Sequence, residues 1–456
     1  MERVNGFACF IGSGNTYSYL AKALEAMKHR AWNGYLVDCG ETFRAGSTRE
    51  IIQRDVDTKV AVGYCLAGGR DEEAPFPVHG RIYQRGEEPI LERMKRLKLE
   101  PAELAEALRG VDGDYSFAVL SENGGVVFGR DPLGVKPLFR GRREGLVGLA
   151  SEAKALRAAG LEAESVSPGF VYSADLKGMD RFLIRGIGGS DYLDVDLDEA
   201  AEMVLQLVQG SLERLLKGRR VALGFSGGVD SSLLALLSSR LSGIRLVSVY
   251  AAGSRDEADA KASARLLGFD LIEVCLGSER VEKMVKGVSS LIERVSPMDV
   301  AIGLAVNAAA SAARDEGCDG LILGQLADEL FGGYLKYLRA YGDRGAEAAQ
   351  GMMVNDTQTA YRANFERDEA AASPYSDLLL PYASCELAEY ALSLHPKLKM
   401  NPEKNGRKIV LKEAALKAGV PEKIVYKPKK ALQYSSNLQK LVAKIHSTLE
   451  KDYNHL

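Results

Sequence analysis

The chain has 456 residues, 46% of them apolar, which is more than one ordinary core holds and enough for two. Its 59 basic and 62 acidic residues leave a net charge of -3, which gives no support to a nucleic-acid partner and points to small metabolites. Six cysteines (Cys9, Cys39, Cys65, Cys275, Cys318, Cys385) without a C-x-x-C pair read as reduced thiols of a cytoplasmic protein and argue against zinc, and the short apolar runs, with Glu2 near the start, give no expectation of a membrane span or signal peptide.

From Val4 to about Gly186 short β-like runs separated by glycine turns predominate, among them Val60-Val62, Ser116-Leu120, Val126-Phe128 and Gly169-Ser173. Two helices interrupt them, Tyr17-Lys28 and Pro101-Leu108, each with apolar residues at three-and-four spacing. The polar, glycine-rich stretch Gly186-Ile187-Gly188-Gly189-Ser190-Asp191 reads as a linker. Beyond it the rhythm changes to a helix at Asp198-Leu216, a strand at Val221-Phe225, a helix from Ser232, a strand at Arg245-Tyr250 and a helix at Asp256-Leu267. Such alternation predicts parallel strands with crossover helices, so the expected domains are 1–186 and 196–456.

The loop Ser226-Gly227-Gly228-Val229-Asp230-Ser231-Ser232 follows a buried strand and opens a helix. Its glycines let the backbone approach a phosphate, the helix start supplies N–H groups, and the serines add hydroxyl donors. Asp230 beside an anion makes sense chiefly if it holds magnesium. The structural alternative is a serine-capped strand-to-helix turn, and a Walker loop fits poorly because no lysine precedes the serines. A second element, Gly324-Gln325-Leu326-Ala327-Asp328-Glu329-Leu330-Phe331-Gly332-Gly333-Tyr334, follows the strand Gly320-Leu323. Ligands of open parallel sheets bind at the carboxyl ends of strands, so Asp328 is expected near Asp230, the two sharing one metal. Taken alone, the segment also reads as an acidic first helical turn facing the dipole.

In this order and spacing, S-G-G-V-D-S-S, A-D-E-L-F-G-G-Y, Asn364-Phe365-Glu366-Arg367-Asp368, Lys408-Ile409-Val410-Leu411-Lys412-Glu413 and Lys427-Pro428-Lys429-Lys430 resemble asparagine synthetase. The first half resembles that family's amidotransferase domain at Met27-Lys28-His29-Arg30, at Gly129 through Leu138 and at Ala150-Ser151-Glu152. The resemblance implies two α/β domains: an N-terminal αββα Ntn-hydrolase-like β-sandwich and a C-terminal parallel-sheet, adenine-nucleotide α-hydrolase-like PP-loop domain. It implies that ATP and a carboxylate form an acyl-adenylate with loss of pyrophosphate, and that a nitrogen nucleophile then displaces AMP. Ser226, Gly227, Gly228, Asp230, Ser231 and Ser232 would hold the pyrophosphate, Asp230 and Asp328 the magnesium, and Val249 and Gly324 the nucleoside. Lys429 would offset charge on the phosphates; without the motif it reads equally as a solvated surface lysine.

The first half departs from the family. The nucleophilic cysteine needs a free α-amine as its base, yet the family's opening Cys-Gly-Ile-Ala-Gly aligns with Asn5-Gly6-Phe7-Ala8-Cys9. A rival alignment starts at Cys9, exposed by processing, but puts Phe10 in the glycine position. Gly-His-x-Arg-Leu, whose arginine holds the glutamine carboxylate, reads Gly63-Tyr64-Cys65-Leu66-Ala67, and the oxyanion segment Asn-Gly-Glu-Ile-Tyr-Asn reads His79-Gly80-Arg81-Ile82-Tyr83-Gln84. The expectation is a glutaminase fold without glutaminase activity.

The expected function is therefore an ATP-dependent amide-forming ligase with aspartate as carboxylate and ammonia as nitrogen source. The alternatives are a synthetase of the β-lactam-forming type, using another carboxylate and amine, and a non-catalytic regulatory relative. Gln325 stands where the family has an acidic residue beside the acyl centre; its amide cannot act as a base but can orient a substrate. The five histidines suggest no metal site, a homodimer is the expected assembly, and the tail Asn437-Leu449 reads as an amphipathic helix with Leu438, Leu441, Val442 and Ile445 on one stripe.

Overall fold

The computed structural model describes residues 3–67, 78–83, 100–121, 124–188, 191–251, 254–427 and 438–445. The chain forms two compact units, 1–187 and 188–456. In the first, strand β1 (Val4–Gly12) is buried along its whole length, and its alternating side chains serve two cores. Phe7, Cys9 and Ile11 pack with Val126, Phe128 and Tyr172. Ala8 and Phe10 point the other way, toward Leu20 and Leu24 of α1 (Tyr17–Ala26) and toward Leu156. A third cluster joins Tyr115, Phe117, Val127 and Val171 to Leu104 and Leu108 of α2 (Pro101–Arg109). The layers therefore run helix, sheet, sheet, helix, as expected.

Within this unit β1 lies antiparallel between β2 (Val60–Leu66) and β3 (Leu146–Ala150). The second layer is an antiparallel meander of Val78–Tyr83, Asp112–Leu120, Val126–Arg130, Phe170–Ala174 and Met179–Leu183, and it joins the first where Val4 pairs with His79. Besides the two expected helices, Thr48–Ile52 and Ala153–Ala158 are helical. At five and six residues, neither is long enough to show a helical period in sequence.

The second unit is built on five parallel strands in the order β6-β5-β4-β7-β8, where β4 is Val221–Gly224, β5 Ile244–Ala251, β6 Leu271–Leu276, β7 Gly320–Ile322 and β8 Asp377–Leu379. Helix α3 (Leu197–Leu216) precedes β4 and opens with a capping box between Asp196 and Glu199. Helix α4 (Val229–Leu241) packs with α3 on one face of the sheet, and α5 (Pro297–Asp315) packs on strands β4 to β7. The chain leaves β4 toward β5 and β6, then returns to β7 on the other side of β4. The switch point of the sheet therefore lies between the carboxyl ends of β4 and β7, where open parallel sheets form their ligand crevice.

Candidate functional site

The loop after β4 starts at Ser226, which is exposed, and turns through Gly227 at φ +72°. A side chain at Gly227 would be strained by that angle, and its Cβ would come within 2.8 Å of the Asp259 carbonyl oxygen. The turn is locked by the Ser263 hydroxyl, which donates to the Gly227 carbonyl at 2.9 Å. Gly228 caps α4, so the free N–H groups of its first turn and its dipole face the crevice mouth. Ser226 Oγ and Ser231 Oγ lie 3.2 Å apart, and Ser231 donates to the Gly228 carbonyl at 3.2 Å. This is a cradle for an oxyanion. Ser232, at the fourth position of the helix, is fully buried, and its hydroxyl finds no hydrogen-bond partner among the described residues.

Asp230 and Asp328 do come together, and a third residue joins them. The Lys408 ammonium lies 2.6 Å from Asp230 Oδ2 and 2.7 Å from Asp328 Oδ1. Lysine 408 is buried and adopts φ +56° at the start of the helix Ile409–Ala418. Burial by itself pushes its pKa down, but the two carboxylates outweigh burial and hold the ammonium above the ordinary lysine range. Gly333 makes this approach possible. A Cβ there would sit 1.7 Å from Asp328 Oδ1 and 2.3 Å from Lys408 Cε. Asp230 is further fixed by Tyr382, whose hydroxyl donates to the Asp230 carbonyl at 3.1 Å.

The donor set fits magnesium. This ion is commonly held by one or two carboxylates together with substrate phosphates. Asp230 Oδ1 is buried and finds no hydrogen-bond partner among the described residues, an acceptor that a bound cation would satisfy. Among those residues no cluster of three or more His, Cys, Asp or Glu residues offers a complete protein cage.

Gln325 lies beside this pair, and its amide donates to Asp368. Asp368 is fully buried and accepts from Arg367 Nε at 2.8 Å, while Arg367 also reaches Asp299 at 3.0 Å. The aiming device is the backbone: Leu326, between Gln325 and Asp328, is buried at φ +77°, an unusual conformation for a branched side chain. On the far side, Tyr361–Phe365 forms a π-helical turn that leads into Glu366–Ala372. That turn presents Asn364 to Glu329 at 3.2 Å. Burial and the adjacent Asp328 charge raise the Glu329 pKa to about 7, and the Tyr334 hydroxyl donates to it at 2.9 Å.

Gly324 lies two residues beyond the end of β7, with Asp230 as a near neighbour. Val249 lies on β5 beyond the point where β4 ends opposite Val247, and the residue is fully buried. Lys429 lies outside the described residues. Lys427, just before it, is paired with Asp259 at 2.8 Å, next to Gly227. Lys408, Asp368, Glu329 and Tyr382 were assigned no role from sequence, although Lys408, Asp368 and Glu329 sit inside quoted motifs.

In the first unit Asn5, Arg30 and Glu152 bond to one another. Asn5 Nδ2 donates to the Arg30 carbonyl at 2.8 Å, and Arg30 Nη1 returns a bond to the Asn5 carbonyl at 2.9 Å. Arg30 is fully buried against Glu152, which also meets His29 at 2.9 Å and Lys154 at 2.7 Å. Although burial opposes it, Arg30 above all, with His29 and Lys154, holds the Glu152 carboxyl well below its usual range. Cys9 is buried in mid-strand between Val62 and Leu149, and burial pushes its thiol up to about 12. Leu66 is buried in β2, and His79 approaches Ser151 at 3.5 Å. Asp131 accepts from the backbone N–H groups of Leu133 and Val135 at 3.1 and 3.0 Å, so this motif residue holds its own loop.

Comparison with known proteins agrees with this geometry. The asparagine synthase family model matches residues 203–347 and 341–454, and the glutamine amidotransferase domain model matches residues 84–158. A Methanocaldococcus jannaschii protein provisionally named asparagine synthetase 1, glutamine-hydrolyzing, is 29% identical over 395 residues, covering 75% of this chain and 72% of its own. Human asparagine synthetase, glutamine-hydrolyzing, is 26% identical over 363 residues, covering 70% of this chain and 63% of its own, which is under two thirds of the human protein. The solved glutamine phosphoribosylpyrophosphate amidotransferase of B. subtilis aligns at a TM-score of 0.35 and 13% identity, over 62% of this chain and 92% of that one, too remote to argue from. With the synthase model matched across more than half of its length, the chain belongs to the asparagine synthase family.

Proposed function

We propose that the chain is an ATP-dependent, AMP-forming carbon–nitrogen ligase that adenylates a carboxylate, aspartate first among the candidates, and takes its nitrogen from ammonia. The observation that carries this reading is the meeting of the glycine-serine loop, Asp230 and Asp328 at the crevice between β4 and β7. In it, Ser226, Gly227, Gly228 and Ser231 bind the leaving pyrophosphate through hydroxyl and N–H donors. Asp230 and Asp328 hold magnesium, which neutralises phosphate charge as pyrophosphate departs. Main-chain groups at Val249 and Gly324 seat the nucleoside, and Lys429 offsets charge on the acyl-adenylate. The buried Asn5–Arg30 exchange and the inaccessible Cys9 support a first unit that does not hydrolyse glutamine.

One observation favours a second reading, a different carboxylate and amine. Gln325, tied to Asp368, offers an amide where proton abstraction from an incoming ammonium would use a carboxylate. Pyrophosphate release measured with ATP, magnesium and a panel of carboxylates, with ammonia and with glutamine, tests both. Release that needs aspartate and ammonia supports the first reading. Release with another carboxylate alone supports the second, no release with any carboxylate ends the ligase reading, and glutamine-driven turnover that survives removal of free ammonia ends the silent-glutaminase reading.

A further inference from the structure

From the bridge at Asp230 and Asp328 we infer that Lys408 is a displaceable counter-ion that occupies the metal carboxylates in the nucleotide-free protein and makes metal binding depend on nucleotide. The inference rests on reading those carboxylates as metal ligands. The Lys408 ammonium engages one oxygen of each, at 2.6 and 2.7 Å, so the position between them already holds a positive charge. A dication entering there must either share those oxygens with the ammonium at close range or drive it away, and like charges in a partly desolvated crevice repel strongly. The lysine is not placed by chance: its side chain is 3% exposed, its backbone holds φ +56°, and Gly333 leaves out the side chain that would fill its path.

Each carboxylate side chain is 23% exposed, so the crevice side of the pair is open to an incoming ligand while the lysine side is sealed. A nucleotide changes this balance. Its phosphates give the ammonium an alternative anionic partner and bring oxygens to complete a magnesium shell. Metal and nucleotide then enter together, and free metal alone competes poorly with a tethered cation. Two buried carboxylates without a cation would also repel each other, so Lys408 keeps Asp230 and Asp328 at ligating separation while they wait.

The test is manganese binding followed by electron paramagnetic resonance on the full chain, as wild type, Lys408→Met and Lys408→Gln, each with and without α,β-methylene-ATP. Without nucleotide, both variants are expected to bind manganese at least about tenfold more tightly than wild type, because the competing charge is gone. Equal affinities in wild type and variants overturn the counter-ion role while leaving the metal ligands in place. If none binds manganese even with the nucleotide analogue, the metal reading itself falls and the inference with it. Should both variants fail to fold, reductive methylation of wild type read by mass spectrometry decides the matter. Lys408 is expected to be unreactive without metal and to become modified at saturating manganese; continued protection overturns the inference.

Discussion

The two units set their buried polar groups on different backbone. Around Asn5, Arg30 and Glu152 each charge meets an opposite charge and each amide a carbonyl, and the result is a packed interior. Around Asp230 a carboxylate oxygen is left without a hydrogen bond, as one oxygen of Glu152 is too, but here Leu326 and Lys408 are held at positive φ beside it. Unpaired acceptors and strained backbone cost stability, and a protein keeps them where a ligand repays that cost. The contrast sets strained backbone around Asp230 and Asp328 in the second unit against relaxed, ion-paired packing around Asn5, Arg30 and Glu152 in the first.

The strongest way to break this contrast is to delete an equivalent polar group from each unit. Asp328→Ala is expected to reduce pyrophosphate release by about 10³-fold or more, by loss of a metal carboxylate, whereas Asn5→Ala leaves ammonia-dependent release unchanged. Comparable losses from both would sink the division of labour. Glycine substitutions come next. Gly333→Ala forces Asp328 and Lys408 apart, and Gly80→Ala drives a Cβ to 1.9 Å from the Asp114 carbonyl oxygen. Each is expected to cost roughly 1–3 kcal/mol in urea melts by overpacking, but only Gly333→Ala should also impair pyrophosphate release.

Gln325→Ala separates two steps inside the second unit. Exchange of labelled pyrophosphate into ATP should persist, while amide formation falls by about 10–100-fold through lost orientation of the nucleophile. Equal loss of both would remove Gln325 from the nitrogen step.

Lys399 supplies a stability readout. It is fully buried, reaches Gln350 Oε1 at 3.4 Å, and burial lowers its pKa from 10.5 to about 7. The unfolded chain therefore binds a proton that the folded chain rejects between these values, so wild-type stability falls as pH drops from 10.5 to about 7, where the penalty is complete. Relative to wild type, Lys399→Met should gain thermal stability across that window, with a flat difference below it. The smallest effect expected is that of Cys9→Ala, about 1 kcal/mol of core packing with unchanged turnover; lost turnover in a correctly folded variant would reinstate Cys9 as a nucleophile.

What was legible in the sequence was local or periodic. The strand, glycine turn and helix around Ser226 announce themselves in a dozen adjacent residues, and the rule that ligands meet parallel strands at their carboxyl ends pointed Asp328 toward Asp230. Lys408 was not legible as their partner. It is 178 residues from Asp230 in sequence, and no propensity places a lysine at positive φ before a helix. Asp368 stood in a recognisable motif, yet its contact with Gln325 depends on the π-helical turn, which has no simple residue signature.

That turn has a consequence for how this site can change. One extra residue in the helical winding at Tyr361–Phe365 sets the phase of everything from Glu366 to Ala372. Removing one residue there would restore ordinary α winding and rotate the following segment by about 100°, carrying Asp368 away from Gln325 without altering either side chain. Register in this helix is thus a heritable variable of the site alongside residue identity, and a single codon deletion would re-aim it in one step.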